Sequence, residues 1–391
     1  MDFSLTEEQD SIRDAVAAIC NRFDDGYWLK LDASGEYPHE LYAALAKDGW
    51  LGICTQEAYG GSGLGISEAA IMMRTIAESG AGMSGASAVH INIFGLNPVA
   101  VFGTEDQKQR MIRPMAEGKE KACFAVTEPN TGLNTTQLKL RAVRQDGGYL
   151  VNGQKVWIST AQEADRILLL ARTTPLDEGK KPTHGLSLFY TRYDRARIRT
   201  VEIEKMGRKA VDSNELFFED FFIPEEDLIG EEGRGFEYIL HGMNPERILI
   251  AAEAVGLGMA AVNRAARYAN ERIVFNRPIG QNQGIQHPLA KCWAQLEAAW
   301  LMVMSAAWKY DHDAPLSVVG AAANAAKYLA GEAGFEACQT AVMTHGGYGY
   351  AKEYHVERYL REAFVPRIAP VSPQLCLSYL AERVLGLPKS Y

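Results

Sequence analysis

The run from Asn244 to Phe275, NPERILIAAEAVGLGMAAVNRAARYANERIVF, constrains the fold more than any other stretch of this chain. Its interior is rich in alanine, glycines stand at 256 and 258, and no proline interrupts it until Pro278. It therefore reads as one long helix packed closely against other helices. Asn244 is a favourable N-cap, Pro245 suits the first helical position, and Glu246 follows in the first turn. Free N–H groups and the positive end of the helix dipole stabilise a carboxylate there, so Glu246 is expected to be ionised near neutrality unless burial opposes it. Glu246 has two readings: the capping acid of an ordinary bundle helix, or a catalytic base aimed at a bound substrate.

The rest of the chain divides into three textures. From Leu5 to about Arg113 it is helical, opened by Thr6-Glu7-Glu8-Gln9 and an apolar face of Ile12, Val16 and Ile19. The glycine-rich loop Tyr59–Gly65 matches neither GxxxxGK[ST] nor GxGxxG, so a surface turn is favoured over a phosphate cradle. Near Cys123 the texture turns to β. Tyr149–Ile158 reads as a hairpin turning at Asn152-Gly153. Strand-like runs follow at Arg166–Arg172, Leu186–Tyr190, Arg197–Ile203 and Leu216–Ile223, with an exposed connection at Thr174–His184. Helices return at Phe236–Gly242, the long element, Ile285–Tyr310, Ser317–Thr344 and beyond Ser372. The order helices, strands, helices lacks βαβ alternation and excludes a Rossmann fold. The expectation is an α+β chain: an N-terminal α-helical domain (1–120), a middle antiparallel β domain (121–230) and a C-terminal four-helix bundle (231–391).

Composition narrows the function classes. A net charge of −9 argues against a nucleic-acid or anionic-membrane partner. The six cysteines contain no CxxC pair, which fits reduced thiols in the cytoplasm, and the histidines form no HExxH or HxxxH pattern, so no metal site is expected. The acidic start MDFSLTEEQD lacks an apolar run, and no stretch reads as a transmembrane span, so no membrane insertion is expected.

Taken together, several motifs resemble the acyl-CoA dehydrogenase family over essentially the whole chain. They are TEEQ, YGGSGLG, Val126-Thr127-Glu128-Pro129, Asn152–Ser159 (NGQKVWIS), Met206-Gly207-Arg208, Asn244-Pro245-Glu246-Arg247, Glu271-Arg272 with Phe275, and Gly346–Tyr350 (GGYGY). The resemblance implies an FAD enzyme that oxidises an acyl-CoA thioester to its trans-2-enoyl-CoA. A carboxylate removes the α-proton, hydride leaves for flavin N5, and electrons pass to an electron-transfer flavoprotein. Many relatives place the base near the C-terminus in a YEGT-like sequence. The matching segment here, Ile368–Gln374, has no glutamate. Glu246 occupies the position used by the isovaleryl- and long-chain-type subset, immediately before the arginine of the long helix.

The resemblance assigns further roles. Arg247 and Asn244 match contacts to the CoA arm and pantetheine, and Leu133 lies in the substrate-facing loop. For FAD, Thr127 matches a pyrimidine-edge contact with Gly132 in the same loop, and Trp157 and Ser159 match the strand end at the N5 edge. Arg272 and Phe275 match a pyrophosphate-binding pair, with Gln283 nearby. Gly346 and Gly347 match a close backbone approach, and Ser372 and Gln374 match adenosine-side contacts. On one straight helix Arg272 lies about 39 Å from Glu246, so it is expected to reach a neighbouring subunit's FAD, as in the family's usual homotetramer. The chain departs from the family at Leu133 and Asn134 (serine and aspartate are usual), at Val274 (threonine), at Met343 (glutamine) and at Pro370. The proline removes a backbone N–H that holds the thioester oxygen in relatives. Two other activities fit the resemblance: a non-redox, desulfinase-like CoA-thioester enzyme, and an acyl-CoA oxidase.

Overall fold

The computed structural model describes residues 3–177 and 179–389. Glu178, in the expected connection Thr174–His184, and the two chain ends lie outside the described residues. The longer N-terminal helices are α1 (Glu7–Cys20), α2 (Asp25–Ser34), α3 (His39–Lys47), α4 (Ile66–Ile76) and α5 (Gly82–Phe94). Thr6 and Gln9 close a capping box on α1, each side chain bonding the other's backbone N–H at 3.2 Å, and Ile12, Val16 and Ile19 are its buried face. The Tyr59–Gly65 loop spends its donors internally: the N–H groups of Gly61, Ser62, Gly63 and Leu64 bond the carbonyls of Gln56, Gly52, Thr55 and Ile53. It offers no phosphate cradle. A Cβ on Gly61 would lie 2.1 Å from the Thr55 carbonyl, which explains one of the glycines.

The β region is one eight-stranded sheet: β1 (Ala122–Ala125), β2 (Arg141–Gln145), β3 (Gly148–Ser159), β4 (Arg166–Arg172), β5 (Leu186–Arg192), β6 (Ile198–Glu202), β7 (Ser213–Pro224) and β8 (Leu228–Ile229). Its order is β6-β7-β3-β2-β4-β5-β8, with β1 alongside β4. Most pairs are antiparallel as expected, but β1 and β2 meet β4 in parallel. The expected hairpin at Asn152-Gly153 is corrected. β3 runs straight through those residues, and the turn falls at Asp146-Gly147, where Gly147 takes φ 75°. Gly153 sits at a register shift against β7, and Asn152 exchanges hydrogen bonds with Asp220 at 2.9 and 3.0 Å. The Asn-Gly pair therefore marks a bulge that bends a long strand.

The long helix spans Gly235–Glu271, not Asn244–Phe275. Tyr238 and Ile239 are buried in the core beneath β4 and β5, which makes the preceding segment part of the same helix. Pro245 therefore lies inside it. Proline cannot donate to the carbonyl four residues back, that of His241, and Asn97 Nδ2 reaches this oxygen at 3.4 Å instead. Phe275 lies beyond the helix, in a tight turn with Asn276 (φ 50° and 60°) between the short strands Ile273–Val274 and Arg277–Pro278. Gln283–Asp311 and Leu316–His345 pack around the long helix, and Pro373–Arg383 packs on Leu316–His345. Glycines 256 and 258 are required by that packing, since Cβ atoms there would fall 2.3 Å from Arg74 O and 2.6 Å from Leu296 Cδ2. By length and hydropathy the long helix and the stretch Ile66–Phe102 could each cross a bilayer, which corrects the reading that no stretch approaches a span. Their most apolar windows are 89% and 67% buried within the protein, so this apolarity is used in the core.

Candidate active site

Glu246 is held inside the long helix, about three turns from its start, so the helix-terminus argument for its ionisation does not apply. Its side chain keeps partial solvent contact overall, yet Oε2 is sealed from solvent and has no hydrogen-bond partner. Burial dominates and pushes its pKa up to about 7, with Glu253 acting in the same direction; the charges of His90, Arg247 and Lys327 oppose the rise. Arg247 folds back on its own helix, donating to Met243 O at 3.2 Å and Asn244 Oδ1 at 3.4 Å, while its Nε is buried without a partner. Lys327, fully buried on Leu316–His345, donates to the carbonyl of Val371. That bond ties the segment after Pro370 to the side of the bundle that carries Glu246.

Other sequence-predicted residues lie on and beside the sheet. Trp157 is 59% exposed and takes φ 62° where β3 slips register against β7, so it is presented outward and is not core packing. Ser159 Oγ accepts from Arg208 Nη2 at 2.8 Å, and the same guanidinium reaches Ser87 on α5 at 3.3 Å. Thr127 is fixed by its carbonyl, which accepts Val156 N–H at 2.9 Å. The neighbouring Glu128 accepts from Lys139 N at 2.7 Å, Leu140 N at 2.9 Å and Lys155 Nζ at 3.1 Å. Lys155 Nζ also bonds Val126 O at 2.8 Å; burial pulls its pKa down to about 8 although Glu128 opposes this. This clamp sets the loop carrying Thr127 and Gly132 against β3. Gly132 has open space around it, Thr131 Oγ1 is buried without a partner, and Leu133 is 57% exposed.

A second group of sequence-predicted residues lies elsewhere. Arg272 caps the far end of the long helix and stacks over Tyr348 at 5.5 Å, which brings it to Gly346 and Gly347. Gln283 opens the next helix and is exposed. Phe275 is 95% exposed, Gly346 takes φ 60°, and a Cβ added to Gly346 or Gly347 would meet no atom within 4 Å. None of these residues is brought to Glu246. Ser372 has a local task, since its Oγ caps Pro373–Arg383 by accepting Leu375 N–H at 3.3 Å; Gln374 is exposed in that helix's first turn.

Sequence reasoning missed His90 and Glu253. His90 Nδ1 and Glu253 Oε1 form a very short contact between α5 and the long helix. Burial disfavours charge on His90, but Glu253 outweighs it and raises the histidine pKa. The available signal was an acid seven residues after Glu246 in an Ala/Gly/Ile stretch, a spacing that puts both on one helix face.

The long helix thus holds a carboxylate with one sealed, partnerless oxygen, and the sheet carries an outward tryptophan beside a clamped loop. Comparison with known proteins specifies the class. Family models described as the N-terminal, middle and C-terminal domains of acyl-CoA dehydrogenase match residues 6–119, 123–221 and 233–385. The chain is 36% identical to acyl-CoA dehydrogenase FadE12 of Mycobacterium tuberculosis, covering 100% of this chain and 99% of that protein. It is 35% identical to an acyl-CoA dehydrogenase of Bacillus subtilis, covering 98% and 99%. The structure of butyryl-CoA dehydrogenase from Megasphaera elsdenii superposes with a TM-score of 0.92 at 29% identity, covering 98% and 100%. This chain belongs to the acyl-CoA dehydrogenase family.

Proposed function

We propose that the protein is an FAD-dependent acyl-CoA dehydrogenase in which Glu246 takes the α-proton of an acyl-CoA thioester, yielding the trans-2-enoyl-CoA. The observation that carries the role of Glu246 is its sealed, unpartnered Oε2, with a pKa near 7 that suits a base working at neutral pH. When bound, FAD supplies the acceptor for the hydride leaving the β-carbon. The residues present fit such a group: Trp157 turned outward, Ser159 held by Arg208, Thr127 fixed by the Glu128–Lys155 clamp, and unfilled space at Gly132. Asn244 and Arg247 orient the CoA arm, with Leu133 at the substrate loop. Lys327 holds the segment beyond Pro370, where the thioester oxygen needs a donor.

Arg272, Phe275, Gln283, Gly346 and Gly347 serve the FAD of a neighbouring subunit in a homotetramer. Exposed Ile273 (55%), Phe275 (95%), Met343 (73%) and Tyr350 (88%) gather apolar surface at that end, which supports association there. Ser372 and Gln374 face the adenosine side. An electron-transfer flavoprotein is the electron acceptor, the setting is cytoplasmic, in keeping with six free cysteines, and the domains divide at 1–120, 121–230 and 231–391. The test is anaerobic bleaching of the flavin by a panel of straight, branched and aromatic acyl-CoAs. Glu246→Gln should abolish bleaching while FAD and acyl-CoA stay bound; undiminished bleaching removes Glu246 from the chemistry.

A further inference from the structure

Three residues around the end of β3 hold backbone conformations that residues other than glycine seldom adopt: Trp157 (φ 62°), Thr160 (φ 64°) and Arg208 (φ 52°). Ser159 lies between the first two in the chain, and its hydroxyl accepts from the third, Arg208 Nη2, at 2.8 Å. The loop that carries Arg208 is pinned from both sides. Arg361 Nη1 donates to Met206 O at 2.8 Å, and a Cβ on Gly207 would meet the Arg361 backbone at 2.8 Å. On the sheet side, Thr160 N–H donates to Asp212 O at 3.3 Å. The other bonds of the guanidinium also go to hydroxyls, Ser87 at 3.3 Å and Ser213 at 3.4 Å, while Nε is buried without a partner. Glu253, Glu362 and Asp212 act on its charge only through space, opposing the burial that disfavours that charge. Arg208 and Ser159 nevertheless both keep partial exposure, so the pair borders accessible space. A cation bonded only to neutral oxygens is thus fixed at the strand end beside the outward Trp157, at a backbone cost of the kind that collects at functional sites.

We infer that Arg208 is a positioning residue that acts through Ser159: it holds the Ser159 hydroxyl as a donor toward bound FAD and so favours the reduced flavin over the oxidised one. A serine hydroxyl has one hydrogen to give and two lone pairs to receive with. Arg208 occupies a lone pair, and among the described residues no acceptor takes the hydrogen. Accepting from a cation polarises the O–H and strengthens the bond it donates. Reduction makes the flavin ring electron-rich, and hydrogen bonds and charge near the ring favour that form. A neutral side chain at 208 would weaken both contributions.

The inference rests on the FAD reading of Trp157 and Ser159. The test is the two-electron reduction potential of the FAD-loaded enzyme without substrate, from anaerobic dithionite titration against a reference dye. Arg208→Gln should lower the preference for reduced over oxidised FAD by about tenfold, which is about 30 mV. Ser159→Ala should shift the potential in the same direction. Adding Arg208→Gln to Ser159→Ala should then change little, because the two residues act as one unit. Near-UV circular dichroism checks the fold of each variant. An unchanged potential in Arg208→Gln overturns the inference, and so do additive shifts in the double variant, which would make the two residues independent. Should Arg208→Gln fail to fold or to hold FAD, Ser159→Ala decides alone: an unchanged potential there removes the route through the hydroxyl. Wild-type protein that binds no FAD overturns the flavin reading and the inference together. The expected shifts in an enzyme that no acyl-CoA bleaches would uphold the inference and remove the dehydrogenase reading.

Discussion

The two ends of the long helix carry chemistry of opposite character. Around Glu246 burial dominates, and the charges that act on its carboxyl come from three parts of the same chain besides its neighbour Arg247: His90 from α5, Lys327 from the bundle and Glu253 from the helix itself. Around Arg272 the side chains are exposed, and Phe275, Tyr350 and Met343 face outward with apolar surface. The first region is finished within one chain, because its desolvation is already in place. The second displays cationic and apolar groups that this chain leaves uncovered, which supports the proposal that a second copy completes a site there.

Glu246→Gln should separate the two regions most sharply. A positioned general base contributes about 10²–10⁴ in rate, so bleaching should fall by that factor while subunit association and FAD content, measured by sedimentation and absorbance, stay unchanged. Next in size is Glu128→Gln, which leaves Lys155 buried without its counter-charge. Breaking such a pair costs about 3–5 kcal/mol, to be read as a lowered denaturation midpoint. A loss below about 1 kcal/mol would show that the clamp is not holding the Thr127 loop. The smallest effect is expected at Arg272→Ala: FAD affinity weakened by about tenfold, dependent on protein concentration, with the bleaching rate of the FAD-loaded fraction unaltered. FAD loss that does not depend on protein concentration would argue that Arg272 serves its own chain.

Much of this was legible in sequence because local pattern and burial agreed. Arg166–Arg172 was delimited as β4 since every residue of that run is buried, and the α1 face was read from Ile12, Val16 and Ile19. Two local signals were overruled by tertiary context. Asn-Gly favours a tight turn, but pairing of β3 with both β2 and β7 keeps the strand intact and turns the pair into a bulge. Asn-Pro-Glu has the composition of a helix start, yet the buried Tyr238 and Ile239 extend the helix upstream and Asn97 compensates for the proline. The consequence reaches the site: Glu246 owes its raised pKa to burial, where helix-end position predicts ionisation. The His90–Glu253 pair was illegible because α5 and the long helix lie far apart in sequence and neither residue belongs to a recognisable motif.

The central claim is that the Glu246 carboxyl titrates near neutrality and that its ionised form performs the chemistry. The direct test is kcat/KM for anaerobic flavin bleaching against pH, since this quantity reports the free enzyme's essential groups. A base acts when deprotonated, so the rate should rise with pH, with an apparent pKa of about 7, and level off above it. In Glu246→Gln the residual rate should lose that ascending limb. A limb near pH 7 that survives in the variant would assign the proton transfer to another group and contradict the account.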